Sequence, residues 1–300
     1  MIAMTSPKPA MRFELSTGVS IAADAFGDPS NQTVLFLHGG GQTRHAWGGA
    51  AKALAELGFY TICTDHRGHG ESAWSTEGGY TLEVFARDLL ALVEHFDEKP
   101  IIVGASLGGV SALRAEAISD EPVAKALVLV DTTPRMSASG VTRILRWMLD
   151  GLEGFGSLEE AADAIAAYLP HRPRRTDLSG LAKNLRLGDD GRYRWHWDPE
   201  MIRSWNPENW SDTAAAQEEI QERLDNAAKI SMPMMLIRGR LSDVVSEENA
   251  QEFLRFVPHA EYVDLKDAAH MVAGDRNDAF TESVADFIIE HFAPQGENPK

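Results

Sequence analysis

The chain has 300 residues, with 45 acidic and 28 basic side chains and a formal net charge of −17, a length that suits one large domain with an insertion. This acidic balance disfavours nucleic acid and anionic membranes as partners, because both are bound mainly through lysine and arginine. There is no run of about 18 apolar residues and no apolar core of a secretory signal near the N-terminus, so we expect a cytoplasmic protein without a membrane span.

Strand and helix patterns alternate over the first 131 residues. An antiparallel pair is predicted at 12–15 and 21–26. Continuous apolar runs, too short for helices, then predict strands buried on both faces, at 34–37, 59–64, 101–103 and 126–130. Helical segments lie between these strands, at 46–57, 81–96 and 107–118. Such alternation is typical of a mostly parallel sheet with helices on both faces.

The pattern changes after residue 131, where about a hundred residues show helical runs and no strong strand signal. Alternation resumes with predicted elements at 234–237, 246–257, 262–265 and 277–292. We therefore predict a core of 11–131 and 230–292, with flexible segments at 1–10 and 293–300. The only cysteine, Cys63, lies in an apolar run and is expected to be a buried small side chain.

The strongest motif is Gly-Ala-Ser-Leu-Gly-Gly at 104–109, between a predicted strand and a predicted helix. This is the setting of a nucleophile elbow, in which a serine on a tight turn needs small residues two positions before and after it. Gly104 and Gly108 meet that requirement. The competing interpretation is a glycine-rich turn that only connects the two elements. We predict Ser106 as a nucleophile.

A second glycine-rich segment, His-Gly-Gly-Gly at 38–41, directly follows the strand that ends at Leu37. Its backbone N–H groups could form an oxyanion hole together with the N–H of Leu107. A phosphate-binding loop is the alternative, but the Gly-Lys-Ser/Thr of a P-loop is absent.

A serine nucleophile needs a base, and the base needs an acid that fixes its tautomer. His270 follows the predicted strand 262–265 by a short loop, and Asp243 follows the strand 234–237. The order Ser106, Asp243, His270 is the order expected of this architecture. Asp131, after the strand 126–130, is the alternative acid. We favour Asp243 because its loop is longer.

Aromatic and basic residues are concentrated in the predicted insertion. Four of the seven tryptophans lie within sixteen positions, at Trp195, Trp197, Trp205 and Trp210. They are packing anchors or part of an apolar wall for substrate, and Trp195 and Trp197 are our candidate substrate-binding residues. A basic cluster, Arg172, Arg174 and Arg175, is interpreted as a solvated loop rather than a carboxylate clamp.

Together these segments resemble the α/β-hydrolase superfamily, in the branch that contains bacterial esterases, lactonases, cofactor-free haloperoxidases and epoxide hydrolases. The resemblance covers about 11–292 and rests on the segments 38–41, 65–72, 104–109, 238–243 and 269–271. It implies a mostly parallel, eight-stranded twisted sheet with helices on both faces and a helical cap at 132–229. It also implies that Gly40 and Leu107 supply the oxyanion N–H groups, and that His66 and His69 in the Asp-His-Arg-Gly-His-Gly-Glu-Ser segment are structural.

Departures from relatives narrow the expected activity. Epoxide hydrolases of this fold carry aspartate where this chain has Ser106, and carbon–carbon bond hydrolases carry tryptophan where it has Met271. We predict a serine hydrolase that cleaves a small-molecule carboxylic ester or lactone through an acyl-enzyme, without cofactor or metal. The alternatives are a ligand-binding protein without turnover and a cofactor-free haloperoxidase, perhydrolase or dioxygenase. The oligomeric state is left open, a homodimer being one option.

Overall fold

The computed structural model describes residues 8–75, 79–170, 174, 176–205, 213–275 and 277–292. Ten strands are present in this part of the chain: β1 (Met11–Glu14), β2 (Ser20–Phe26), β3 (Thr33–Leu37), β4 (Tyr60–Thr64), β5 (Ile101–Ala105), β6 (Ala126–Val130), β7 (Leu185–Leu187), β8 (Tyr193–Trp195), β9 (Met234–Gly239) and β10 (Glu261–Leu265). Eight of them form one sheet in the order β1-β2-β4-β3-β5-β6-β9-β10. Only β1 with β2 and β2 with β4 pair antiparallel in it, which confirms the predicted fold class.

Helices cover both faces of this sheet. They are α1 (Gly48–Glu56), α2 (Leu82–Val93), α3 (Leu107–Ile118), α4 (Ala138–Asp150), α5 (Leu158–Tyr168), α6 (Ser179–Ala182), α7 (Pro199–Ser204), α8 (Ala214–Ala227), α9 (Glu247–Phe256), α10 (Val272–Asp275) and α11 (Asn277–Phe292), and a 3₁₀ helix (Arg44–Trp47) precedes α1. The core has two apolar clusters, one on each face. In β3, Leu35 belongs to one cluster and Phe36 to the other, so an uninterrupted apolar strand is fully buried.

Four of the six parallel strands, β3, β5, β6 and β9, lie next to one another and place their carboxyl ends side by side. Ligands of open α/β sheets bind at this edge, because the connecting loops there can converge. The residues that directly follow these strands are His38, Ser106, Asp131 and Arg240. The topology therefore brings three of the predicted site segments to one edge of the sheet.

The segment between β6 and β9 is not entirely helical, contrary to our expectation. Besides the helices, it contains the antiparallel hairpin β7–β8, whose turn includes Gly191 at φ +79°. Strands of three residues give too short an alternation to be recognised. α8 packs against α3 and α9 of the core, so the residues that cover the sheet edge lie before it. The predicted boundary at residue 229 stays a prediction.

The predicted flexible ends lie mostly outside the described residues, which omit 1–7 and 293–300. Among the helices that the structure describes, none is both long and apolar enough to cross a membrane.

Candidate active site

Ser106 occupies a strained turn between β5 and α3. Its backbone has φ 45° and ψ −112°, a region that costs a non-glycine residue about 1–3 kcal/mol. Its N–H donates to the carbonyl oxygen of Val130 at 3.1 Å. A Cβ on Gly104 would lie 2.7 Å from the backbone of Gly108, and one on Gly108 would overlap the carbonyl of Leu37. The geometry is that of the predicted nucleophile elbow, and the small neighbours are required by backbone contacts.

His270 is hydrogen-bonded to Asp131, the residue that follows β6. His270 Nδ1 lies 2.7 Å from Asp131 Oδ2. Since a carboxylate can only accept, Nδ1 is the donor of this bond, and Nε2 is the ring nitrogen on the opposite side. The Asp131 side chain is fully buried, and its carboxylate also accepts from the Gly239 N–H at 2.9 Å and the Ser242 hydroxyl at 2.5 Å. Three donors therefore hold this buried anion in place.

Asp243 does not hold the position that we expected for it. Its Oδ2 lies 2.6 Å from Nε and 2.6 Å from Nη2 of Arg143 on α4. Burial, the largest single cause, would raise the pKa of Asp243. The hydrogen bond and charge of Arg143, with smaller contributions from a backbone hydrogen bond and from His270, together outweigh it and the pKa is lowered. In this loop it is Ser242 whose hydroxyl reaches the Asp131 carboxylate. The Ser242 N–H donates to the Gly239 carbonyl oxygen at 2.9 Å, which closes a turn. The alternative, Asp131, is the acid that contacts His270.

The glycine loop 38–41 lies beside Ser106. A Cβ on Gly39 would be 3.4 Å from the Ser106 Cβ, and Gly40, Leu107, Ser106 and His270 all line one cavity. Leu107 is the first residue of α3, where backbone N–H groups have no partner inside the helix. The structure thus brings both predicted oxyanion donors to the cavity that contains the serine.

Two buried histidines, His38 and His69, and the half-buried His66 support this glycine loop, a feature that sequence reasoning missed. His69 Nε2 accepts from the Gly41 N–H at 3.1 Å, while its Nδ1 lies 3.0 Å from the Arg67 carbonyl oxygen. His38 Nδ1 bonds to the Gly39 carbonyl at 2.8 Å, and its Nε2 accepts from the His66 N–H at 3.0 Å. Each acceptor nitrogen must be unprotonated. Our view of His66 and His69 as structural omitted this role. The visible signal was His38 directly after β3, with His66 and His69 in the segment that follows β4.

Burial keeps these rings neutral. It lowers the pKa of His66 to about 4 and that of His69 to about 3, and it lowers the pKa of His38 well below its usual value. The nitrogen acceptors of the network therefore persist at neutral pH.

The cavity over Ser106 has a volume of about 1450 Å³. Its walls are mainly apolar side chains of the segment between β6 and β9, among them Ile144, Trp147, Met148, Ile165, Trp195 and Trp205. Of our two candidate substrate-binding residues, Trp195 is therefore at the cavity. Trp197 lies behind the glycine loop instead, with its Nε1 3.7 Å from the position of a Cβ on Gly41. Trp147 was not predicted to line the site, whereas Trp205 was among the four tryptophans that we interpreted as packing anchors or part of an apolar wall.

The remaining candidates are accounted for as follows. Trp210, Arg172 and Arg175 lie outside the described residues. Arg174 is ion-paired with Asp163 at 2.5 Å, as suits a surface loop. Among the described residues, no group of three histidine, cysteine or acidic side chains could hold a metal ion.

Comparison with known proteins identifies the class. The alpha/beta hydrolase fold family matches residues 32–276, and the chain belongs to this family. It is 30% identical to the esterase Rv0045c of Mycobacterium tuberculosis over 84% of this chain and 80% of the relative. It is 25% identical to the 3-hydroxybutyrate-oligomer hydrolase of Cupriavidus necator, over 83% and 86% of the two chains. The crystal structure of E-2-(acetamidomethylene)succinate hydrolase superposes with a TM-score of 0.77, covering 93% and 98% of the chains at 21% identity.

Proposed function

We propose that the protein hydrolyses carboxylic esters of small molecules, with Ser106 as the nucleophile, His270 as the base and Asp131 as the acid that orients it. The observation that carries this proposal is the 2.7 Å bond between His270 Nδ1 and the buried Asp131, at a cavity that also contains the strained Ser106. The relatives named as an esterase and an oligomer hydrolase support the same class of reaction.

The first half of the reaction acylates the serine. His270 Nε2 takes the Ser106 proton while the serine oxygen attacks the ester carbonyl, and the tetrahedral intermediate collapses when His270 returns that proton to the leaving alcohol. Asp131 stays ionised and stabilises the imidazolium that forms between these two transfers. Its three hydrogen bonds keep its carboxylate facing His270.

The negative charge on the carbonyl oxygen is held by the N–H groups of Gly40 and Leu107. The N–H of Gly41 is already bonded to His69, so within this loop it is not available for substrate. The N–H of Leu107 adds the favourable end of the α3 dipole. Removal of one such donor typically costs a factor of 10²–10³ in kcat.

The second half deacylates the serine by the same steps in reverse, with water in place of the alcohol. His270 deprotonates the water, and the acid product leaves when Ser106 regains its proton. All bonds made and broken are accounted for by the ester and one water molecule, so the reaction needs no further reactant.

The test compares wild type with Ser106→Ala on p-nitrophenyl esters of increasing acyl length, on lactones and on amides. We expect loss of several orders of magnitude in kcat for Ser106→Ala. The matched control is Ser283→Ala, a half-buried serine of α11 whose hydroxyl bonds only to Ala279. A fluorophosphonate should label wild type and the control but not Ser106→Ala. Labelling without turnover of any ester would instead favour a ligand-binding protein.

A further inference from the structure

Trp205, at the end of α7, lies against the loop that we assign to the oxyanion hole. A methyl group on Gly40 would be 3.3 Å from Cζ3 of the Trp205 ring. Trp205 also lines the cavity, together with Ser106, and it is only half-buried. Part of the indole surface therefore faces the space in which a bound ester would have its carbonyl group.

A single core residue, Tyr80, fixes the position of this indole. The Tyr80 carbonyl oxygen accepts from Trp205 Nε1 at 2.5 Å. The Tyr80 hydroxyl donates to Asp198, whose carboxylate caps the first turn of α7 by accepting from the Glu200 N–H at 2.9 Å. Tyr80 is 1% exposed, so a buried residue of the core binds both ends of α7. The ring is thereby held beside Gly40 and is not free to swing away.

The chemistry of the proposed reaction indicates which part of the ester meets this ring. The leaving oxygen must face His270 to receive its proton, and the carbonyl oxygen must face Gly40 and Leu107. The alcohol part then extends along the His270 side of the cavity. The acyl chain then lies on the side of the cavity away from His270, next to the glycine loop.

We propose that Trp205 determines specificity by limiting the width of the acyl group at the carbon next to the carbonyl. This inference rests on the proposed function. Substrates are then esters of acyl groups that are unbranched at that carbon. The cavity has a volume of about 1450 Å³, and its lining includes Ile144, Met148 and Ile165, so it has room for a long apolar chain.

The experiment measures kcat/KM for p-nitrophenyl butanoate and p-nitrophenyl 2,2-dimethylpropanoate with wild type and Trp205→Ala. We expect the ratio of the branched to the linear substrate to rise at least tenfold, since one or two methyl groups in a pocket discriminate by about 10–200-fold. Trp205→Phe should give a smaller rise. Tyr80→Phe, which loses the bond to Asp198, should raise the ratio slightly by loosening α7.

The matched control is Trp147→Ala. Trp147 also lines the cavity, but it stacks on Tyr168 with ring centroids 4.6 Å apart, and none of its atoms lies within 4 Å of the position of a Cβ on Gly40. This variant enlarges the cavity elsewhere and should leave the ratio within about threefold of the wild-type value.

Fluorophosphonate labelling of Ser106 distinguishes failure of the Trp205 proposal from failure of the proposed function. An unchanged ratio in Trp205→Ala and Trp205→Phe, with labelling as in wild type, overturns the role of Trp205 and leaves the esterase proposal standing. An equal rise in Trp147→Ala also overturns it. If wild type hydrolyses no ester, the proposed function fails and this inference fails with it.

Discussion

The Asp131 carboxylate is held by a side chain that has no part in the chemistry itself. Ser242 donates to the same oxygen, Oδ2, that accepts from His270, and its own oxygen accepts from the N–H groups of Val244 and Val245 at 3.1 and 3.2 Å. It thus connects the triad acid to a backbone turn.

Replacing Ser242 by alanine should leave the carboxylate freer to turn. A hydrogen bond to a charged group contributes about 1.5–3 kcal/mol, so we expect kcat to fall roughly 10- to 100-fold with KM nearly unchanged. Steady-state kinetics on a p-nitrophenyl ester provide the measurement, with Ser283→Ala as the control. A change confined to KM would assign Ser242 to substrate binding instead.

His69 offers a second test, on the support of the glycine loop. His69→Ala leaves the Gly41 N–H without its acceptor, and the loop can then shift the neighbouring Gly40 N–H away from the carbonyl oxygen. We expect kcat to fall by at least about tenfold, but by no more than the 10²–10³ that loss of a whole donor costs.

His69→Gln is the informative companion, because its amide oxygen accepts a hydrogen bond as the imidazole nitrogen does. We expect this variant to recover most of kcat. Equal losses in the alanine and glutamine variants would show that the volume of the ring, and not its acceptor nitrogen, supports the loop.

How far the sequence specifies the site differs from residue to residue. Ser106 was predictable because the elbow needs glycines at fixed positions two residues away, a purely local requirement. The different contacts of Asp131 and Asp243 were not predictable, since those of Asp243 depend on Arg143, which lies 100 positions from it in the chain. Nothing in the sequence distinguished Trp205 from the other three tryptophans of this region, because its contact with Gly40 depends on the fold.

At the level of elements, the sheet and the helices around it follow from local patterns. Uninterrupted apolar runs mark β3, β5 and β6 because strands buried on both faces need apolar residues at every position. The hairpin β7–β8 could not be predicted in this way. Its strands have three residues each and are bounded partly by contacts with distant segments, such as the bridge between Phe155 and Tyr193.

The close contact between β3 and α3 requires a glycine at position 108. A Cβ on Gly108 would overlap the backbone carbonyl of Leu37, so Gly108→Ala must push the helix from the strand. We expect the free energy of unfolding to fall by about 1–3 kcal/mol or more, measured by urea denaturation.

The control for that substitution is Gly48→Ala at the start of α1, where an added Cβ meets nothing within 4 Å. A glycine replaced without strain stabilises by about 0.4–1 kcal/mol through the unfolded chain. If both variants unfolded at the same urea concentration, the close approach of Gly108 to Leu37 would be contradicted.

For the whole molecule, histidines with a lowered pKa predict a loss of stability in mild acid. Burial is the largest cause of the lowered pKa at five of them: His38, His45, His66, His69 and His196. In the unfolded chain each binds a proton below about pH 6.5. In the folded protein, His45 and His66 bind one only near pH 4, and His69 and His196 near pH 3.

Between those values the unfolded state binds more protons, so the free energy of unfolding decreases as the pH falls. Above about pH 6.5 these histidines cost no stability. Below it, each lowers the free energy of unfolding by up to about 1.4 kcal/mol per pH unit. We expect the Tm to drop steadily from pH 6.5 to 5, and less steeply in His69→Gln. Identical slopes for the two proteins would contradict the burial of a neutral ring at this position.

The central claim, that Asp131 and not Asp243 is the acid of the triad, is tested most directly by kcat/KM of two asparagine variants on one p-nitrophenyl ester. Replacing the acid that orients a catalytic histidine by its amide lowers the rate about 10⁴-fold. We predict a loss of about 10³- to 10⁴-fold for Asp131→Asn. Asp243→Asn, which weakens a half-exposed ion pair with Arg143 and removes a negative charge near His270, should lose less than about tenfold. The reverse order of the two losses would contradict the assignment.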